Sequence, residues 1–170
     1  MKNLTPVLFT NVEIKDNFWS ERLSVNREKT LKANYEHLKK QGRIDAWTWK
    51  KGQPNKPHIF WDSDVANWIE AVSYHLANKR NKSLEKKVDH VVEIMAEAQL
   101  DNGYLNSYFI NVEPNRKWTN LRNEHELYCA GHLIEAAVAY YDATGKNKFL
   151  NIMSKYADLI NKIFGPNRNQ

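Results

Sequence analysis

The sequence predicts an all-α fold: an open arc of alternating inner and outer helices, with a short extended arm at its N-terminus. Three observations lead there. Apolar residues recur at helical spacing in five segments of the 170-residue chain. The second and fourth segments are apolar on nearly every side, while the third and fifth carry one stripe each. A helix apolar all round is buried, and a single-stripe helix is half exposed, so the alternation describes two layers.

The elements follow in order. Residues 1–18 form the arm, in which Val7, Phe9, Val12 and Ile14 alternate in part and read as a short strand or extended segment. Residues 19–170 form the helical domain. Its first helix starts near Ser20, a candidate N-cap, and stops before Gly42. A loop over 41–61 holds Trp47, Trp49, Phe60 and Trp61 among glycines and prolines. The second helix runs from Asp62 to about Asn78, with Asp62 or Ser63 placed to cap it. The third spans about Ser83 to Gln99, with Leu84, Val88, Val91, Val92 and Met95 as its stripe. A second aromatic loop over 100–121 opens on the turn Asp101-Asn102-Gly103 and carries Tyr104, Tyr108 and Trp118. The fourth helix runs from about Arg122 to Thr144 and the fifth from about Asn147 to Ile163, ended by Gly165-Pro166.

Both aromatic loops precede inner helices, so they and the N-termini of those helices fall at one end of the ring. A cleft there gathers Asp62, Asp64, Glu124 and His125. Five helices leave the inner helices without neighbours on one side, hence an open arc. A compact five-helix bundle is the competing architecture.

Composition narrows the function. Six Trp, eight Tyr and six Phe suit a thick core or a cleft that stacks on sugars. The net charge of +5 comes from dispersed lysines and arginines, which speaks against a nucleic-acid partner. A single cysteine, Cys129, excludes an internal disulfide. The first 18 residues carry charges and no long apolar run, so no signal peptide, membrane partner or transmembrane helix is expected, and a cytoplasmic location follows by default.

Three stretches carry a resemblance: Phe60-Trp61-Asp62-Ser63-Asp64-Val65-Ala66-Asn67-Trp68, then Ala98-Gln99-Leu100-Asp101-Asn102-Gly103-Tyr104-Leu105-Asn106, and the long segment from His125-Glu126-Leu127-Tyr128-Cys129-Ala130-Gly131-His132 to Tyr140. In order and spacing they resemble the N-terminal region of glycoside hydrolase family 127, the β-L-arabinofuranosidase type. The resemblance implies an (α/α)6 barrel, here incomplete, followed by β-sandwich domains. It implies removal of terminal L-arabinofuranose or a related furanoside from glycans. It also implies a zinc-held cysteine nucleophile and a glutamate acid/base, none of which matches a position in this chain. On that reading the chain is an N-terminal fragment inactive alone, its partners being a carbohydrate and the missing C-terminal half of the barrel, and zinc is expected only in the full-length relatives.

The expected substrate-binding residues are His125, Asp62, Asp64, Trp61, His132 and Tyr104. The resemblance places the histidine matching His125 against the sugar. For His132, two turns deeper, a satisfied core histidine is the competing reading. His125, Cys129 and His132 share a helix face at i, i+4 and i+7, but no fourth ligand accompanies them. Glu124 and Glu126 sit about 160° apart on a helix and cannot flank one glycosidic bond. Glu135 is expected to pair with another buried polar group. Two other functions compete: a stand-alone helical carbohydrate-binding or scaffold module, and a basic helical nucleic-acid binder.

Overall fold

The computed structural model describes residues 4–165. Seven α-helices occur among them: α1 (Trp19–Val25), α2 (Leu31–Lys40), α3 (Trp61–Asn78), α4 (Lys82–Ala98), α5 (Ser107–Asn111), α6 (Glu126–Thr144) and α7 (Lys148–Ile163). A π-helical turn, Asn26–Thr30, joins α1 to α2 into what the sequence reads as one helix. The described residues contain no strand. The arm is extended and exposed, interrupted by a 3-10 turn at Phe9–Asn11, and it pairs with no neighbouring backbone that would make it a strand. Pro166, half of the expected stop after α7, lies outside the described residues.

Local chemistry sets the helix ends. Ser20 does not cap α1; Asp16 does, its Oδ1 accepting the backbone N–H groups of Phe18 and Trp19. Asn81 caps α4 by accepting from Ser83 and Leu84 at 3.1 and 3.2 Å. Neither Asp62 nor Ser63 caps α3: Ser63 Oγ donates to the Phe60 carbonyl at 2.7 Å, and the Asp62 side chain turns away from its own helix. The fourth predicted helix starts late, at Glu126, because His125 has φ +58° and cannot sit inside a right-handed helix.

The two layers form as the periodicity demands. The inner helices α3 and α6 pack against each other along their lengths. Val65, Ala66, Ile69 and Val72 of α3 meet Ala130, Leu133, Ala136 and Ala137 of α6 in the buried core. Burying each of the larger side chains contributes about 1.5–3 kcal/mol. The single stripes of α4 and α7 cover the outer side through Leu84, Val88, Met95, Phe149, Met153 and Tyr156. Tyr140 of α6 donates to Asp89 of α4 at 2.7 Å, and Lys146 reaches the same carboxylate at 2.7 Å. On the other side the arc is open. Tyr74, Leu127, Tyr128, Val138 and Tyr141 of the inner helices are exposed. Glu135 lies on that open face and not in the core: it is exposed and pairs with His132 at 3.5 Å.

Candidate functional site

The N-termini of α3 and α6 come together at one end of the inner layer, and both aromatic loops are fastened there. Asp62, fully buried at the start of α3, accepts the Ser107 backbone N–H at 2.9 Å and the Ser107 hydroxyl at 2.5 Å. Burial pushes its carboxyl up to about 6, and the two Ser107 bonds oppose that rise. Glu126, buried at the start of α6, accepts the Tyr104 hydroxyl at 2.5 Å and the Trp118 N–H at 2.7 Å. Burial also holds this carboxyl above its ordinary range. The second loop is thus pinned to both inner helices by carboxylates.

A run of rings leads from this rim down the open face. His58 packs at a tilt against Phe60 with centroids 4.3 Å apart, Phe60 lies 6.0 Å from His125, His125 lies 5.5 Å from Tyr128, and Tyr128 lies 4.6 Å from His132. Phe60 and Tyr128 are exposed, and His125 and His132 are half-buried. The His125 Nδ1 stands 2.9 Å from the Asn123 carbonyl oxygen. A carbonyl only accepts, so Nδ1 carries the proton and Nε2 of the neutral ring is an acceptor. An imidazole acceptor between two aromatic rings packed edge-wise against it suits a polyol, whose hydroxyls donate and whose C–H groups pack on aromatic surface.

The six expected site residues divide. His125 and His132 stand on the open face; His132 is not a core histidine. Trp61, the first residue of α3, is half-buried, with the Arg43 guanidinium 5.5 Å over its ring. Asp64 is half-buried and ion-paired to Arg43; burial raises its carboxyl, and Arg43 offsets part of that rise. Asp62 and Tyr104 lie behind the rim: both are buried, Asp62 bonded to Ser107 and Tyr104 to Glu126. Two rings of the aromatic loops are also used internally: Trp47 is buried in the core, and Trp118 packs edge-on to Tyr104 and Phe164. The exposed rings beside His125 are Phe60 and Tyr128. Tyr128 was accessible to sequence reasoning, because it shares the face of His125 and His132 at i+3 and i−4. Phe60 and His58 give no such signal, since only the loop's path brings them to His125.

The residues present do not fit a metal centre. The Cys129 thiol is buried between α3 and α6, donates to the Ile59 carbonyl at 3.5 Å, and is held well above its ordinary range by burial. Among the described residues no three His, Cys, Asp or Glu side chains converge as a ligand set.

The fold and the rim together define part of an all-helical α/α-barrel domain. The family model for the β-L-arabinofuranosidase GH127 catalytic domain matches residues 11–170, and the chain belongs to that family. It is 38% identical over 112 residues to a non-reducing end β-L-arabinofuranosidase of Bifidobacterium longum subsp. longum, an alignment covering 64% of this chain and 17% of that protein. It superposes on the crystal structure of a GH127 β-L-arabinofuranosidase from Geobacillus stearothermophilus T6 with a TM-score of 0.88 and 46% identity, covering 94% of this chain and 27% of that one. A second solved GH127 β-arabinofuranosidase gives a TM-score of 0.86 and 37% identity, covering 97% and 28%. The chain therefore spans about a quarter of the length of the solved relatives it matches, and its helices are an arc of an (α/α)6 barrel.

Proposed function

We propose that these 170 residues supply one wall of a furanoside-binding cleft in a glycoside hydrolase that removes terminal L-arabinofuranose units from glycans. The reacting groups come from other parts of the polypeptide. The observation that carries the reading is the presentation of His125: its Nδ1 is committed to the Asn123 carbonyl, and its Nε2 is left to accept from a sugar hydroxyl between Phe60 and Tyr128. The names of the matched relatives support arabinofuranose as the sugar.

No nucleophile is proposed within this chain. The carboxylates near the rim are engaged: Asp62 with Ser107, Asp64 with Arg43, Glu124 with Arg116, and Glu126 with Tyr104 and Trp118. A general acid or nucleophile must reach the glycosidic bond. Asp62 and Glu126 are buried with both oxygens bonded, and Asp64 is ion-paired. Glu124 is buried and ion-paired through Oε1, while its Oε2 has no hydrogen-bond partner among the described residues. A zinc-held thiolate belongs to the same outside part on this reading.

The test has two arms. The chain alone is titrated with L-arabinose, following imidazole and aromatic signals by NMR, and incubated with a nitrophenyl β-L-arabinofuranoside. Perturbation of His125, Tyr128 and Phe60, lost in His125→Ala, with no nitrophenol released, is the expected result. Release of nitrophenol by the chain alone would refute the division of labour, and silence of all three residues would remove the sugar from this wall.

A further inference from the structure

Two residues of the connection into α6 stand in the left-handed region, Trp118 at φ +63° and His125 at φ +58°. Neither is a glycine, and an L side chain avoids this region because its Cβ crowds the carbonyl oxygen. Such backbones persist only where the surroundings over-determine them. Glu126 is placed to do so. It follows His125 directly and is fully buried, and its Oε2 accepts the Trp118 N–H at 2.7 Å. One carboxylate thus joins the two ends of the Trp118–His125 connection. Its other oxygen is fixed by the Tyr104 hydroxyl at 2.5 Å, so the carboxylate itself cannot swing. Glu124, the neighbouring acid, is turned to Arg116 and takes no part in the closure. The Nδ1 contact of His125 goes to Asn123, a residue of the same connection.

We infer that Glu126 is a positioning residue for His125: its buried carboxylate clasps the Trp118–His125 connection and thereby fixes which ring nitrogen His125 shows to the cleft. The inference rests on the reading of His125 as the imidazole that meets the sugar, but its test does not. Asp62 provides the internal control, being equally buried and bonded to Ser107, which lies outside the connection.

The experiment is long-range 1H–15N NMR of the histidine rings in the 170-residue chain, at about pH 8, where an ordinary imidazole is neutral. The unmodified chain is expected to show His125 with its proton on Nδ1. Glu126→Leu removes both acceptors and is expected to lose that bias, its two ring nitrogens moving toward the values of free histidine. Glu126→Gln is expected to retain it, because the amide oxygen accepts the Trp118 N–H and the Tyr104 hydroxyl turns to accept from the amide. Asp62→Asn is also expected to leave His125 unchanged. Should Glu126→Leu fail to fold, Glu126→Asp serves, one methylene too short to hold Tyr104 and Trp118 together. A folded Leu or Asp variant with an unchanged His125, or an equal shift in Asp62→Asn, would overturn the inference. An intact Nδ1–H signature that ignores added L-arabinose would support the clasp and sink the sugar reading alone.

Discussion

Asp62→Asn makes the buried carboxylate at the start of α3 a measurable quantity. Asp62 is fully buried, and its carboxyl is pushed up to about 6 from an ordinary 3.8, with desolvation as the leading cause. The sign follows from proton counting. Between those two values the folded state holds a proton that the unfolded chain releases, so this group's contribution is fully present below about pH 4 and is lost as pH rises through 6. A difference of about two pH units corresponds to about 3 kcal/mol. Asparagine reproduces the neutral form: its oxygen accepts the Ser107 N–H and its amide donates to the Ser107 hydroxyl. Asp62→Asn is therefore expected to match the unmodified chain at pH 4 and to be more stable by about 3 kcal/mol at pH 8, a rise in midpoint on the order of 10 °C for a domain of this size. Thermal and urea unfolding of both chains, followed by circular dichroism at pH 4, 6 and 8, supplies the numbers. Because every other titrating group is common to the two chains, the difference between them isolates Asp62. A difference independent of pH, or a variant less stable at pH 8, would refute the claim that desolvation outweighs the two Ser107 bonds.

Two further predictions concern packing against α7. Gly103 stands at φ +92°, and a Cβ there would lie 2.5 Å from the Lys155 carbonyl oxygen, so Gly103→Ala is expected to cost about 2–3 kcal/mol in urea unfolding. A loss under 0.5 kcal/mol would show that the turn moves off α7 freely. The buried Tyr156 hydroxyl has no hydrogen-bond partner among the described residues, so Tyr156→Phe is expected to be neutral or stabilising by about 1 kcal/mol, and a destabilisation beyond that would reveal a partner, such as a bound water.

Periodicity alone determined the long helices, though not the five-residue α5 inside the second loop, and the split between all-round and single-stripe patterns determined which of them are inner. The prediction holds for α3, α4, α6 and α7 because burial on one or several sides imposes residue types at 3.6-residue spacing. The same logic places both aromatic loops at one end, since each precedes an inner helix. It also supports the open arc, because α6 carries more apolar surface than these neighbours cover. The motif from His125 to Tyr140 was sufficient for the family.

The tertiary structure alone decided what each rim residue does. Asp62 reads as a helix cap in sequence, yet its carboxylate reaches Ser107, 45 positions away. Tyr104 reads in sequence only as a ring of the second aromatic loop, and the packed structure makes it a buried donor to Glu126. Glu135 reads as buried because its neighbours are apolar, but Leu133, Ala136 and Ala137 face the core while Glu135 points to the side of the arc that these helices leave open. The helix start at His125 was misplaced for a related reason. Helical periodicity does not mark a residue in the left-handed region, and the carboxylate that follows His125 is bonded to Trp118 at the far end of the same connection. Helical periodicity is a local property, set by the path of the chain a few residues either way. Side-chain roles at the rim are set by partners distant in sequence, and only the packed structure brings those partners within reach.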